Sequence, residues 1–281
     1  MYWQKEIDRI AQWMKNYAEK AGDKGYTIGL SGGIDSAVVV CLAVKAIGWI
    51  DIQAITMPYQ DQNTDLVKKL CDNLNIGYQE IKIDDICNSF FKSIDLIPEK
   101  IYDCDAIKSR LKIQVGNIKA RTRMIILYDC AKDCNCLVAG TGNKSELYIG
   151  YNTKFGDGGV DIEPIGNYYK TEIYEIAKLM PEIPKEIITR PPSAELWDGQ
   201  TDEEELEITY KELDKILKYL NIRNIYSVCD GEDQDFCQKY FNNLAKNISQ
   251  EDIELEKVKK VINLIISAQH KNQLPPRYPR S

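Results

Sequence analysis

The chain has 281 residues, with 36 basic side chains against 43 acidic ones and a formal charge of −7. That length admits one large α/β domain or a domain with a helical appendage, while the acidic balance argues against a broad nucleic-acid-binding surface, which depends on neutralising phosphates. No apolar run approaches the ~20 residues a membrane span needs, and nine cysteines, an odd number in a chain that opens without a signal peptide, point to a reducing cytoplasm rather than a disulfide framework.

In chain order, residues 2–20 form an amphipathic helical pattern, and the apolar run at 26–30 reads as a strand. The strand gives way to Gly29, Leu30, Ser31, Gly32, Gly33, Ile34, Asp35 and Ser36, with helical periodicity beginning near Ser36. A strand that ends in two glycines and feeds a helix directs bare N–H groups and a positive helix end to one spot, which suits phosphate oxygens. Asp35, at the lip of that cup, would repel phosphate unless a divalent cation lay between them. The loop therefore predicts a nucleotide phosphate with Mg²⁺, held in part by Asp35. No Lys-Ser or Lys-Thr follows the glycines, so this is not a Walker A loop, and the spacing is not Gly-x-Gly-x-x-Gly.

Further strands are predicted at 52–57 and 78–83, alternating with helices at 64–74 and 86–94. A long helix over about 109–133 carries Leu111, Ile118, Met124, Ile125 and Tyr128 in its periodicity, and 137–140 returns to the sheet. This rhythm predicts an α/β fold with a doubly wound, mainly parallel sheet, helices on both faces, and ligands at the carboxyl ends of the strands. Gly140, Thr141 and Gly142 fall at such an end, and residues 140–146 repeat the order strand, glycine turn, helix start. Thr141 could donate to a phosphate or ribose oxygen, and Glu146 could share the Mg²⁺ with Asp35. Alone, that turn would read as an ordinary capped helix start; facing the first loop, it reads as the second half of a nucleotide site. Cys130, Cys134 and Cys136 have a C-x₃-C-x-C spacing but lie in a helical pattern and at a strand start, so they read as structural.

Residues 150–166 lose periodicity, with Gly156, Gly158 and Gly159 among Lys154, Asp157, Asp161 and Glu163, and read as a mobile loop. Helix returns over 169–180, and Pro181, Pro184, Pro191 and Pro192 punctuate a connector. Thr209 and Glu212 have the spacing of a capping box for a helix at 210–220. The run Asp202-Glu203-Glu204-Glu205 reads as a solvated first turn favoured by the helix dipole. The expected organisation is one domain over 1–281, with a core sheet at about 26–166 and a helical C-terminal part at about 167–281.

The wording S-G-G-x-D-S resembles the loop of the N-type ATP pyrophosphatases, the PP-loop superfamily, which cut ATP between its α and β phosphates. The strings G-L-S-G-G-I-D-S, G-N-I-K-A-R-T-R-M (116–124), G-T-G-N-K-S-E-L (140–147), K-F-G-D-G-G-V-D-I-E-P-I-G (154–166), Y-K-T-E (169–172), R-P-P-S-A-E-L-W-D-G-Q-T-D-E-E-E-L (190–206) and S-A-Q-H-K (267–271) are together similar to ammonia-dependent NAD synthetase. The resemblance implies an adenine nucleotide alpha hydrolase-like fold. It also implies a C–N ligase that adenylates the nicotinate carboxylate of deamido-NAD with ATP and lets ammonia displace AMP. In that reading Asp35, Glu146 and Lys170 are catalytic, with Asp35 and Glu146 on Mg²⁺. Residues 29–36, Thr141, Lys170 and Ser193 bind ATP, and Arg121, Lys154, Asp161, His270 and Lys271 contact deamido-NAD. The charges suit this substrate, since a pyrophosphate and a carboxylate call for cations and ribose hydroxyls suit Asp161. A homodimer with deamido-NAD at or near the subunit interface is implied as well. Glutamine-using relatives carry an added amidase domain; only a short helical segment precedes the first strand here, so free or delivered ammonia is the expected nitrogen source. The alternatives are other PP-loop adenylating enzymes, a GMP synthetase ATP-pyrophosphatase subunit or a tRNA-modifying thiolase, and, from another class, a nucleotide-sensing protein without turnover. The acidic balance disfavours the RNA enzyme, and the strings at 140–147 and 154–166 disfavour the GMP synthetase.

Overall fold

A computed structural model describes residues 2–96, 105–193, 201–220, 234–249 and 253–273. The stretch 194–200, part of one of the strings above, and the Pro-rich end beyond 273 lie outside the described residues.

Four strands, β1 (Gly25–Gly29), β2 (Ile52–Thr56), β3 (Tyr78–Glu80) and β4 (Cys136–Val138), form a parallel sheet in the order β3-β2-β1-β4. Order reverses beside β1, so β1 and β4 lie side by side with their carboxyl ends together, Gly25 pairing with Cys136 and Thr27 with Val138. That is the topological switch point at which open α/β sheets bind ligands. The sheet is covered on both faces, as the βαβ pattern predicts.

One face carries α1 (Tyr2–Ala21), α2 (Ile34–Ile47), α3 (Asp65–Leu74), α7 (Lys170–Ala177) and α8 (Lys185–Thr189). In α1 the buried residues Ile7, Ile10, Ala11, Met14 and Ala18 fall on one helical stripe, and the hydroxyl of buried Tyr26 in β1 donates to the Met14 carbonyl at 2.6 Å. Helix α2 contains Val38, Val39 and Val40, all fully buried. A β-branched residue costs a few tenths of a kcal/mol in a helix, whereas burying each valine side chain contributes about 1.5–3 kcal/mol. Packing therefore outweighs propensity, and α2 is held rigidly behind the loop that begins it. On the other face, α4 (Asp84–Ser93) and the 30-residue α5 (Asp105–Cys134) close over Ile55, Met57 and Ile83.

A second hydrophobic cluster joins α6 (Lys144–Ile149) to α9 (Asp202–Leu206), α10 (Tyr210–Tyr219), α11 (Gln234–Ser249) and α12 (Leu255–Ala268). Gly150 ends α6 at φ +67°, and a side chain there would meet the Ala268 Cβ at 2.5 Å, so only glycine lets α6 and α12 approach. The helix at 210–220 has the capping box its sequence predicts, Thr209 accepting from the Glu212 N–H.

Residues 150–166 depart from the reading of a mobile loop. The Thr153 hydroxyl donates to Asn117 of α5 at 2.8 Å, the Asp157 carboxylate accepts from the Thr153 N–H at 2.8 Å, and Asp161 accepts from the Val138 N–H at 2.8 Å. Ile162 forms a parallel bridge to Ala139. Side chains of Asp and Thr close these turns one by one, and periodicity is blind to such bonds. The described cysteines are free, and Cys130, Cys134 and Cys136 form no metal cluster among the described residues. No helix of the described residues is long and apolar enough to cross a membrane.

Candidate active site

The first loop turns between the end of β1 and the start of α2, with Gly32 at φ +79°, a conformation that side chains rarely adopt. Gly33 caps α2 without a side-chain bond to the helix, so the N–H groups of the first turn point outward at the positive helix end. Two serines brace the bend: Ser36 Oγ donates to the Gly33 carbonyl at 3.0 Å, and the Gly33 N–H donates to Ser31 Oγ at 3.1 Å.

The second loop is tied to the first by Asn143, which is fully buried. Its Oδ1 accepts from the Glu146 N–H at 3.1 Å as the cap of α6, and its Nδ2 donates to Asp35 Oδ1 at 3.0 Å. Its first bond caps a helix, and its second spans the cleft.

Lys170 is the first residue of α7, and its side chain is 3% exposed. Its Nζ lies 2.5 Å from Asp35 Oδ2 and 3.0 Å from Glu146 Oε1, so the three residues assigned catalysis from sequence meet at one point. The lysine is fixed from behind. Its backbone N–H donates to Ser145 Oγ at 2.9 Å, Ser145 Oγ donates to Asp214 of α10, and the Thr171 N–H donates to Asp214 Oδ2 at 2.8 Å. Burial alone would push the Lys170 ammonium toward its neutral form, but the Asp35 and Glu146 carboxylates beside it outweigh burial and hold it charged. Burial pushes Glu146 up to about 7; Lys170 opposes that shift, and the negative charges of Asp35 and Asp202 add to it.

Asp202 corrects the reading of the acidic run as a solvated turn. It is 3% exposed. The Tyr210 hydroxyl lies 2.9 Å from Asp202 Oδ2 and 3.2 Å from Glu146 Oε1, and the Tyr151 hydroxyl donates to Glu205 at 2.7 Å. Two phenols and the nearby Lys170 charge make burial of this acid tolerable, and a run of like charges in sequence carries no hint of those partners.

Asp35, Glu146, Tyr151, Lys170, Asp202 and Glu205 line a cavity of about 470 Å³, the size of a cofactor pocket. Leu30, Ser31, Ile34, Ser36, Thr141 and Ser193 line it too, with Gly29 and Gly33. Of the residues assigned to deamido-NAD, Lys271 reaches the cavity, its Nζ donating to the Gly150 and Asn152 carbonyls at 2.7 Å each. Arg121, Lys154 and His270 gather outside it: Arg121 donates to the Lys154 carbonyl at 3.3 Å, and Lys154 Nζ to the His270 carbonyl at 2.5 Å. Asp161 stands apart, accepting from Tyr128 and the Val138 N–H.

The donor set fits a hard divalent cation. Asp35 and Glu146 both touch one ammonium, Asp202 adds a third carboxylate nearby, and acid exceeds base at that point. Among the described residues no closed cage of three or more metal ligands forms. Two carboxylates completed by substrate phosphate and water oxygens is the arrangement Mg²⁺ favours.

The chain as a whole is similar to known proteins. The family model described as NAD synthase matches residues 6–275. An NH(3)-dependent NAD(+) synthetase from Methanocaldococcus jannaschii is 42% identical over 273 residues, covering 96% of this chain and 95% of that protein. One from Thermococcus kodakarensis is 39% identical over 270 residues, covering 96% and 94%. Among solved structures, the NMN synthetase from Francisella tularensis superposes with a TM-score of 0.75 at 30% identity over 98% of each chain. The NH3-dependent NAD synthetase from Campylobacter jejuni gives 0.71 at 28% identity over 99% of this chain and 100% of that one.

Proposed function

The chain belongs to the NAD synthase family, and on that premise we propose how its own residues carry out the reaction. It is a C–N ligase: ATP activates the nicotinate carboxylate of deamido-NAD, and ammonia replaces AMP to give NAD, AMP and pyrophosphate. The observation that carries the reading is the meeting of Asp35, Glu146 and Lys170 above two glycine turns at the ends of β1 and β4.

A carboxylate carbon already shares negative charge and resists attack, so adenylation must give it a leaving group. The N–H groups of the first loop and of the first turn of α2 hold the β and γ phosphates. Lys170 faces the α phosphate, where charge builds as phosphorus is attacked. Thr141 and Ser193 position the rest of ATP. Mg²⁺, held by Asp35 and Glu146, would supply the Lewis acid that neutralises the phosphate oxygens. Lys271 lines the cavity while Arg121, Lys154 and His270 gather outside it; we assign the far half of deamido-NAD to that surface, and the ribose contact of Asp161 rests on the resemblance alone. Ammonia then adds to the acyl carbon, AMP departs with the electron pair of its C–O bond, and the added nitrogen releases one proton to solvent to leave the amide.

We read the enzyme as a cytoplasmic homodimer, organised as one synthetase domain that takes ammonia directly; the resemblance stated above and the ammonia-dependent relatives support this. The name of the Francisella tularensis neighbour raises the same chemistry on nicotinate mononucleotide. The test is to incubate purified protein with ATP, Mg²⁺, ammonium and either acid, following the amide product, AMP and pyrophosphate. NAD from deamido-NAD at the higher kcat/KM is the expected result. Preference for the mononucleotide would overturn the substrate assignment, and pyrophosphate release only with xanthosine monophosphate or tRNA would overturn the reading as a whole.

A further inference from the structure

The cavity holds more acid than base. Asp35, Glu146, Asp157, Asp202 and Glu205 line it against Arg123, Lys170, Arg190 and Lys271, yet it must accept a triphosphate. The first loop brings no lysine of its own. Lys170 stands between two carboxylates. Arg123 lies toward β2, donating to the Met57 carbonyl at 3.1 Å, and Lys271 lies at the far end on Gly150 and Asn152. Arg190 lies beside the glycine bend of the loop. Its Nη1 lies 3.8 Å from the point to which a side chain on Gly32 would project.

The sequence around it explains that placement. Arg190 ends α8 with φ −65° and ψ 137°, and the following Pro191 disfavours helical backbone in the residue before it. Helix α8 is anchored from below by Ile187, 1% exposed, and by the pair Lys69 to Glu186 at 2.6 Å. On the far side, the Pro192 carbonyl accepts from the Asp202 N–H at 3.0 Å. The strap that bears Arg190 is thus pinned at both ends across the glycine loop.

We propose that Arg190 is a further catalytic residue, gripping the β and γ phosphates of ATP and stabilising pyrophosphate as it leaves. The proposal rests on the adenylation reading above. In that step a nicotinate carboxylate oxygen forms a bond to the α phosphorus while the bond from phosphorus to the α,β-bridging oxygen breaks. The electron pair goes to that oxygen, pyrophosphate departs with it, and no proton is transferred. Arg190 faces the group on which charge accumulates, and a guanidinium stays charged throughout and offers a planar fork of donors matched to two phosphate oxygens. The division of labour follows: Lys170 serves the α phosphate from inside, and Arg190 serves the leaving group from the loop's outer side.

The experiment compares wild type, Arg190→Ala and Arg190→Lys in pyrophosphate release and in inhibition by inorganic pyrophosphate. Circular dichroism and thermal melting serve as controls for folding. Losing one such donor costs roughly 10²–10³-fold in rate, so Arg190→Ala should release pyrophosphate about that much more slowly and resist inhibition by pyrophosphate. KM for deamido-NAD and for ammonium should stay unchanged. Arg190→Lys should recover only part of the rate, and added guanidinium ion should partly rescue Arg190→Ala, which a merely structural role would not allow. Wild-type release and inhibition in a folded Arg190→Ala would overturn the proposal. So would a loss that guanidinium leaves untouched and that appears only in KM for deamido-NAD. If the wild type instead releases pyrophosphate with a different acid, the substrate reading fails while the same comparison on that acid still decides the role of Arg190.

Discussion

At the ends of β1 and β4 the site is built mostly from backbone: glycine turns, a helix start without a side-chain cap, and short polar side chains that brace them. Across the cleft, α7, α9 and α10 contribute the reverse, charged and phenolic side chains buried against one another, with Lys170, Asp202, Tyr210 and Asp214 each at most 3% exposed. Backbone donors are fixed by the chain's path and tolerate most side-chain changes. A buried charge network holds only while every member has its partner. The two sides should therefore fail differently, and the sharpest test removes the group that joins them.

Lys170→Ala should have the largest effect. It leaves Asp35 and Glu146 facing each other beside Asp202, and removing one partner of a buried ion pair costs about 3–5 kcal/mol. Adenylation should fall by roughly 10³-fold through loss of charge stabilisation. Thermal melting and pyrophosphate release measure both, and Mg²⁺ should restore part of the stability but little of the rate. A variant that melts and turns over as the parent does would erase the distinction between the two sides.

Asp214→Asn probes the side-chain half without touching substrate. Asp214 accepts from Ser145 and from the Thr171 N–H, and so sets the first turn of α7 on which Lys170 rides. An amide keeps the shape and one acceptor but weakens charge-assisted bonds worth ~1.5–3 kcal/mol each. The expected outcome is a fall of about 10–100-fold in kcat with KM for ATP nearly constant. A change confined to KM would show that α10 positions substrate rather than the lysine.

The backbone half of the site was legible in the sequence because glycines, a strand and a helix start are local signals. The fold was legible for the same reason, as a parallel sheet with helices on both faces, though the strand order was not. Asp35 and Glu146 were legible from the two glycine turns at strand ends, whereas the catalytic part of Lys170 came from the family's strings. What stayed hidden depends on partners far away in the chain. Asp202 looked solvated because the sequence does not show Tyr151 and Tyr210 folding over it. Asn143 carried no signal of its own because its bond to Asp35 spans 108 residues. The 150–166 segment looked loose because its restraints are single side-chain bonds to α5 and β4.

A smaller effect is expected from Tyr210→Phe. The phenol lies within hydrogen-bond reach of both Asp202 and Glu146, and loss of one such bond costs about 1 kcal/mol. Rate and stability should fall together by that amount, roughly 3–10-fold in kcat. A larger loss in rate than in stability would give the hydroxyl a direct part in proton transfer, which the present geometry does not require.

The smallest expected effect on rate lies on the backbone side, where the readout is stability against pH. Glu163 packs beside Gly142 and Gly166, and burial, reinforced by the Asp157 charge, pushes its carboxyl up to about 7. A carboxyl whose folded pKa exceeds its unfolded value of about 4.5 favours the folded state below pH 4.5, and that contribution is lost as pH rises through 7. Glu163→Gln stays neutral at every pH. Its melting temperature should match the parent's near pH 4 and exceed it by roughly 2–5 °C near pH 8. Across the cleft the acids share the charge of Lys170, whereas no cation contributes to the raised pKa of Glu163. Because Glu146 is also pushed up to about 7, the variant should remove only the part of the pH dependence that belongs to Glu163. An equal gap between variant and parent at both pH values would mean that Glu163 is ionised throughout, and would return pH sensitivity to the network around Lys170.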